Sequence, residues 1–260
     1  MKRWKFILAI VILIIFLGVF SFSLYHIILW YQDNQKTNQQ IEKLQDMVQV
    51  NEAKDTMTTE MLDSSRYYNV DLLSVDFTNL LNENEEVVGW IQIPNTNINY
   101  PFVQHSDNSY YLSRSFDQSY NNAGWLFLDY RNRLDPIDMN TVIYAHGRVD
   151  GTMFGSLKNA LTDEWMMQEQ YYIKISTLSY NYLFEIFSAY HIKTTNDYLI
   201  TNFSSNQEYQ EFLDKIKRRS MVSFDTTVST QNKILTLSTC YNNQEKMVVH
   251  GKLVKQEKRY

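Results

Sequence analysis

The chain has 260 residues, with 24 basic and 29 acidic side chains and a formal net charge of −5 at pH 7. This mildly acidic balance, with no basic block beyond the N-terminus, argues against nucleic-acid binding. The single cysteine excludes an intramolecular disulfide, so a folded domain must depend on an ordinary hydrophobic core.

The first predicted element is an apolar helix from Phe6 to Trp30. At about 1.5 Å per residue it is long enough to cross a hydrocarbon core of about 30 Å. Lys2, Arg3 and Lys5 precede it, and this charge favours a cytoplasmic N-terminus. A cleaved signal peptide is the competing interpretation, but no A-x-A-like site follows the apolar run. We expect residues 1–31 to form a single-pass plasma-membrane anchor, with the rest of the chain outside the cell.

A polar segment follows, and we assign residues 32–70 to a helical stalk. It is rich in Gln, Asn, Lys, Glu and Thr, while Ile41, Leu44, Met47 and Val48 recur at helical spacing. A solvated spacer with only some helix explains the same composition, and both interpretations remain open.

Residues 71–260 are predicted to form one mainly β domain. An amphipathic helix over Asp71–Asn82, with Asp71 as its N-cap, opens this domain. Short apolar runs rich in β-branched and aromatic residues then alternate with polar turns, as is typical of a closed barrel. Helical patterns interrupt the strands at Phe154–Leu161 and at Asn206–Arg219. The predicted strands are Val87–Ile93, Ile98–Val103, Gly124–Leu128, Thr141–Tyr144, Tyr171–Ser176, Leu183–His191, Lys233–Thr239 and Met247–Val254.

The only cysteine, Cys240, ends an apolar, β-branched run that starts at Ile234. A thiol becomes a useful nucleophile as its thiolate, which neighbouring cations or hydrogen bonds stabilise. Free cysteines are also among the most buried residues, so a structural role is the alternative. The position just past a strand, near Ser238, Thr239 and Asn242, favours a side chain that faces a cleft.

Two further residues could complete a catalytic site. His146 follows another short β run and could transfer protons, although a lone histidine is more often structural. Lys246 opens the strand after Cys240 and could stabilise an oxyanion, although a solvated strand-end lysine is an equal alternative. We predict no metal site, because the histidines are scattered and the sequence lacks C-x-x-C and H-E-x-x-H spacing. The sequence also lacks a Gly-rich phosphate loop, so we expect no cofactor.

These motifs together resemble the sortase family, and class B in particular. The sequence T-L-S-T-C ending in Cys240 resembles the active-site strand of the family. The segment Ile143–Leu157, which contains Y-A-H and M-F-G, resembles its histidine segment. Val87–Ile93 and Gly124–Asp129 are similar to earlier strands, and the resemblance extends roughly from residue 71 to residue 254.

The resemblance implies an eight-stranded sortase-type β-barrel with N-terminal helices and a helix before the cysteine strand. It implies a membrane-anchored cysteine transpeptidase that needs no cofactor. In that reaction Cys240 attacks the Thr carbonyl in the C-terminal sorting signal of a secreted protein, and a thioacyl enzyme forms. An amine of a cell-wall precursor peptide or of a pilin then resolves it. His146 would protonate the leaving amine and later act as base toward the incoming one.

One position departs from the family pattern. The family has an arginine at the start of the last strand, where this chain has Lys246. Lysine keeps the charge but lacks the planar fork of donors. Either Lys246 substitutes for the arginine, or Arg148, Arg218 or Arg219 serves from elsewhere, or the alignment of this strand is shifted.

By the same resemblance, we expect Gln104, Asn108, Ser238 and Thr239 to contact the substrate. Each is equally explained as a polar residue of a loop or strand. Two alternatives to the transpeptidase remain: a degenerate sortase-like domain that binds a sorting signal with little turnover, and an extracellular peptidase whose hydrolysis an added amine does not redirect.

Overall fold

The computed structural model describes residues 2–48, 50–53, 59–62, 66–67, 69–242 and 244–259. Parts of the predicted 32–70 stalk, at residues 49, 54–58, 63–65 and 68, lie outside the described residues.

The chain begins with one long helix, α1, over Lys2–Asp46. It contains the predicted apolar segment and is long and apolar enough to cross a membrane. The helix continues past Trp30 without interruption because no Gly or Pro occurs between residues 19 and 46. The apolar part and the polar part are therefore a single rod.

The polar part of α1 packs against the rest of the protein along one face. Thr37 and Leu44 are each 1 % exposed, Val48 is buried just past the helix end, and Ile41 is partly buried against the same core. Positions 37, 41, 44 and 48 are spaced by four, three and four residues, which places them on one side of a helix. This segment is thus packed against the domain rather than surrounded by solvent.

The strands are β1 (Val50–Ala53), β2 (Thr59–Met61), β3 (Leu72–Val75), β4 (Val87–Gln92), β5 (Asn99–Val103), β6 (Phe127–Leu128), β7 (Asn140–Tyr144), β8 (Tyr172–Thr177), β9 (Tyr180–Lys193), β10 (Ile234–Cys240) and β11 (Glu245–Lys258). Eight of them close into a barrel, as predicted. The pairing order is β10–β7–β6–β5–β4–β8–β9–β11, and β11 returns to pair with β10. Outside the barrel, β2 extends the edge at β11, and β1 pairs with β3.

Short helices lie in the connections. They are α2 (Thr78–Glu83), α3 (Asp163–Met166), α4 (Asn206–Arg218) and the 3₁₀ helices Tyr110–Leu112 and Gly155–Leu161. The helix predicted before the cysteine strand is confirmed as α4. It packs an apolar face on the outside of the barrel, where Tyr209, Phe212, Leu213 and Ile216 are buried.

One predicted helix is wrong. Asp71–Asn82 contains β3, which pairs with β1, followed by the shorter helix α2. The apolar residues at Leu72, Leu73 and Val75 fit a helical pattern, but all three are buried in a strand that has a partner distant in sequence. Asp76, not Asp71, supplies the turn before the helix, since its Oδ1 accepts from the Thr78 amide at 2.9 Å.

Another predicted strand is shorter than expected. Gly124–Leu128 is reduced to the two residues of β6. Gly124 has φ of +63° and its amide donates to the Asn121 carbonyl at 3.0 Å, so the chain is still in a turn at this residue.

Strand pairing determines where the chemistry-bearing residues lie. β10 and β7 are parallel neighbours in which Ser238 is opposite Tyr144. Cys240 and His146 each follow by two residues, so both lie at the same edge of the barrel. The antiparallel pairing of β10 with β11 places Lys246 directly opposite Cys240.

Candidate active site

The backbones that carry Cys240 and His146 approach closely. A Cβ atom on Gly147 would lie 2.0 Å from the Cys240 carbonyl oxygen, so this approach requires glycine. The Cys240 side chain is a free, exposed thiol, unlike the buried structural cysteine that was the alternative. His146 and Cys240 line the same cleft.

Lys246 contacts the thiol directly. Its Nζ donates to Cys240 Sγ at 3.2 Å. An ammonium group at this distance is placed to stabilise a thiolate by charge and by hydrogen bonding. The contact follows from the register of β10 and β11, which pairs the two residues.

The arginines considered as substitutes are engaged or positioned elsewhere. Arg148 binds Asp150, with 2.9 Å between Nη2 and Oδ2. Arg219 binds both carboxylate oxygens of Asp197, at 2.9 and 2.7 Å. Arg218 is in the last turn of α4. Among the described residues, Lys246 is therefore the cation that contacts Cys240 Sγ.

The imidazole of His146 is held in one orientation. Its Nε2 lies 2.8 Å from the carbonyl oxygen of Leu112. Because a carbonyl only accepts, Nε2 carries the proton and Nδ1 is the nitrogen left to exchange one. The ring packs on Gly124, where a Cβ would lie 2.8 Å from His146 Cδ2. The turn that shortens β6 thus also makes room for the histidine.

A cleft of about 780 Å³ leads to these three residues. Asn108 and Leu112 form part of its lining on one side, the segment 196–202 lines another, and Ser238–Cys240 complete it. Three of the predicted substrate-binding residues, Asn108, Ser238 and Thr239, therefore line the cleft.

The comparisons with known proteins agree with this geometry. The family model of the sortase domain matches residues 91–254. The sortase B of Staphylococcus aureus is 32 % identical over 259 residues, which cover 98 % of each chain. The chain belongs to the sortase family, class B.

Solved sortase structures also share its fold. A sortase B from B. anthracis in complex with AAEK1 matches with a TM-score of 0.71 and 36 % identity, over 86 % of this chain and 99 % of that one. A Staphylococcus aureus sortase B–substrate complex matches with a TM-score of 0.65 and 35 % identity, over 69 % and 84 % of the two chains. This sortase is a cysteine transpeptidase, and Cys240 is the only cysteine in its sequence.

Gln104 and Thr239 have different surroundings from the other two predicted substrate-binding residues. Gln104 is missing from the described lining of the cleft, and its Nε2 donates to the carbonyls of Asp129 and Asn132 at 2.9 and 2.8 Å. The Thr239 hydroxyl is buried and would lie 3.0 Å from a Cβ on Gly147, so it faces the histidine loop rather than open solvent.

A polar network beside the cleft was missed by sequence reasoning. The fully buried carboxylate of Asp129 accepts from Tyr144 Oη at 2.8 Å, from Asn108 Nδ2 at 3.0 Å, and from Arg131 Nε and Nη2, each at 2.8 Å. Burial raises the pKa of this carboxyl, but the hydrogen bonds from Arg131 and Tyr144 outweigh it and hold the pKa below its ordinary value. Burial and Asp129 together raise the pKa of Tyr144 above its usual range. In the sequence, the signal for this network is an acidic residue at the end of an apolar strand, followed two positions later by an arginine.

The segment 196–202 is a second feature that the sequence did not reveal. Asp197 is fixed to α4 by Arg219, which lowers the pKa of the Asp197 carboxyl to about 2. Arg131 Nη2 donates to the Leu199 carbonyl at 3.0 Å. Tyr198, also in this wall, hydrogen-bonds Ser238 Oγ at 3.0 Å. The wall is therefore attached both to α4 and to the Asp129 network.

Proposed function

We propose that this sortase is a membrane-anchored transpeptidase that joins surface proteins to the cell envelope. Its substrate would be the C-terminal sorting signal of a secreted protein, and its acceptor an amine of a cell-wall precursor peptide or of a pilin. The contact of 3.2 Å between Lys246 Nζ and Cys240 Sγ, at the end of the cleft shared with His146, carries this proposal.

In the first half-reaction, the Cys240 thiolate attacks the carbonyl carbon of the scissile Thr peptide bond. The carbonyl oxygen gains negative charge, which the Lys246 ammonium is close enough to offset once sulfur has become bonded to carbon. As the C–N bond breaks, the leaving amine takes a proton from protonated His146. The products are a thioester on Cys240 and the released C-terminal fragment.

In the second half-reaction, the acceptor amine attacks the thioester carbonyl and gives up a proton to neutral His146. The C–S bond then breaks, which releases the amide product and returns sulfur as a thiolate beside Lys246. The fixed proton on Nε2 supports Nδ1 as the exchanging atom in both steps.

The walls of the main cleft would hold the sorting signal. Asn108 and Ser238 offer hydrogen-bonding side chains there, and Leu112, Tyr198 and Leu199 offer apolar surface. The similar Staphylococcus aureus sortase B was solved as a complex with its substrate, which supports substrate binding by this fold.

The apolar part of α1 would be the anchor, with the N-terminus in the cytoplasm and the barrel outside. A signal sequence passes the same test of length and composition. Retention of the apolar segment, rather than its removal as a signal sequence, is favoured because α1 runs unbroken from this segment into residues that pack on the barrel.

The test is turnover of a library of quenched fluorogenic peptides with Thr at the acyl position, with and without added amine. We expect cleavage, a thioester on Cys240 by mass spectrometry, and an amide product that increases with amine concentration. Cys240→Ala and His146→Ala are the controls. Binding without cleavage or adduct would indicate the degenerate domain, and cleavage that amine does not redirect would indicate a peptidase.

A further inference from the structure

A second cleft lies next to the main one. Its volume is about 450 Å³, and its lining includes Trp30 of α1, Asn122, and the turn from Gly147 to Asp150. Both His146 and Cys240 contribute to this cleft as well as to the main one. Cys240 therefore borders two clefts, and α1 borders the second of them through Trp30.

The anchor helix is fastened to the barrel immediately past Trp30. Asn122 Nδ2 donates to Asp33 Oδ2 at 3.0 Å, and Arg148 Nη2 donates to Asn34 Oδ1. One turn further along, the buried Asn121 amide donates to the buried Thr37 hydroxyl at 3.0 Å. These polar contacts hold the outer end of the apolar helix in a fixed relation to the second cleft.

The attachment continues along the helix, which excludes a free pivot at its end. Gln45 Nε2 donates to the Asn99 carbonyl at 2.9 Å, and Lys43 pairs with Glu83 at 2.7 Å. Leu44 is buried between these contacts. Contacts from residue 33 to residue 45 span about 18 Å of helix at about 1.5 Å per residue.

The distance along the helix locates the barrel relative to a membrane. Tryptophan at the end of an apolar span sits at the level of the lipid headgroups. Asp33 is three residues past Trp30, or about 4.5 Å along the axis, and the headgroup layer is about 5–8 Å thick on each side. The contact between Asp33 and Asn122 must then lie within this layer or at its outer surface.

The protein surface at this level carries exposed apolar and aromatic groups. Val149 is 94 % exposed at the tip of the Arg148–Asp150 turn, and Tyr120 is 61 % exposed. Tyr120 Oη donates to Asn122 Oδ1 at 2.7 Å, which places this ring beside the helix contact. The turn is rigid, since Asp150 Oδ1 accepts from the Thr152 amide and hydroxyl at 3.0 and 2.6 Å. Trp30, Tyr120 and Val149 form what we call the helix rim.

We infer that the helix rim rests on the bilayer surface and that the second cleft opens toward the lipid. This inference rests on the proposed membrane anchoring. Exposed aromatic rings and a highly exposed valine are unfavourable in water but favourable at the boundary between headgroups and acyl chains. In this orientation the second cleft, which His146 and Cys240 border, faces the headgroup layer.

The test measures the distance of the rim from lipid and needs no turnover, so it is independent of the catalytic proposal. The full-length chain with Cys240→Ser and Val149→Cys carries an environment-sensitive fluorophore on residue 149. It is placed in nanodiscs of phosphatidylethanolamine and phosphatidylglycerol in equal parts, with or without headgroup spin-labelled lipid. Tyr120→Cys is the second rim probe. Met221→Cys is the matched control, because Met221 is also exposed and lies beside β9, with its amide bound to the Ala189 carbonyl.

We expect the spin label to cause a large loss of fluorescence at positions 149 and 120 and none at position 221. Equal quenching at all three positions, or none at 149 and 120, would overturn the inference. Quenching at positions 149 and 120 but not at 221, combined with no turnover of the unmodified chain in the peptide assay, would instead count against the proposed transpeptidation alone.

Discussion

Lys246 is the residue on which the proposed mechanism depends most. It lies opposite Cys240 in the β10–β11 pair and donates to its sulfur at 3.2 Å. A lysine presents three donors from one nitrogen, whereas an arginine presents a planar fork. In the proposed mechanism, one ammonium group therefore serves first the thiolate and then the oxyanion.

We expect Lys246→Ala to lower the turnover number about 10²–10³-fold with little change in KM, because it removes a donor that matters most when charge develops. Lys246→Arg should retain much more activity than Lys246→Ala, since it keeps the charge. The measurement is steady-state cleavage and transfer with both variants. A Lys246→Ala enzyme with an unchanged turnover number would show that the contact is incidental.

Gln104 and Asn108 come from one short segment but have different surroundings. Gln104 binds two loop carbonyls, while Asn108 lines the cleft and holds Asp129. Gln104→Ala should lower the free energy of unfolding by about 1–3 kcal/mol through two lost hydrogen bonds, with the peptide KM unchanged. Asn108→Ala should raise that KM several-fold. Urea titration and peptide kinetics on both variants check this pair, and a raised KM for Gln104→Ala would return that residue to the substrate site.

The sequence was sufficient to predict which residues meet at the candidate site but not the contacts that support them. Cys240, His146 and Lys246 stand next to recognisable strands, and strand pairing brings them together as the pattern suggested. The support from Asp129 and from the wall at 196–202 depends on contacts between segments distant in sequence. No local pattern encodes which loop will cover a cleft.

At the scale of elements, short strands were the least predictable. β6 has two residues, too few for a two-residue alternation to be recognised. The apolar residues of β3 and of the segment after it fit helical spacing, whereas the structure pairs β3 with β1, a segment about twenty residues earlier. By contrast, α4 has four buried residues at helical spacing and was predicted almost to the residue.

The polar part of α1 gives a prediction about an element. Leu44 is 1 % exposed in the core cluster although it lies in a segment whose composition suggests a stalk. Leu44→Ala should lower the free energy of unfolding of the chain from residue 32 onward by about 2–5 kcal/mol, the usual cost of a cavity at a buried leucine. Lys36→Ala, at an exposed position on the same helix, is the matched control. Equal denaturation midpoints for the two variants would mean that this helix does not stabilise the barrel.

At the scale of the whole molecule, closure of the barrel concentrates function at one edge. β10 lies between β7 and β11, so the three strands bring the thiol, the imidazole and the ammonium together. The same β10–β11 pair buries His250 deeper in the molecule, where Nε2 lies 3.0 Å from Tyr190 Oη and Nδ1 lies 2.9 Å from Thr236 Oγ1. Burial, assisted by the charge of Arg219, lowers the pKa of His250 to about 3.

This buried histidine makes the stability of the whole protein depend on pH. With a folded pKa of about 3 and an unfolded pKa of about 6.5, His250 binds a proton more readily in the unfolded state. Its contribution is therefore complete above about pH 6.5 and is lost as the pH falls toward 3, by at most about 1.4 kcal/mol per pH unit.

Between pH 6.5 and pH 5 most carboxylates remain ionised, so this window isolates histidine titration from the acid effects expected at lower pH. We expect the free energy of unfolding to decrease across the window in the unmodified protein and to decrease less steeply in His250→Gln, which cannot take up the proton. The comparison uses slopes from urea titrations at several pH values, because the substitution itself also alters packing. Parallel slopes for the two proteins would show that His250 does not couple protonation to unfolding.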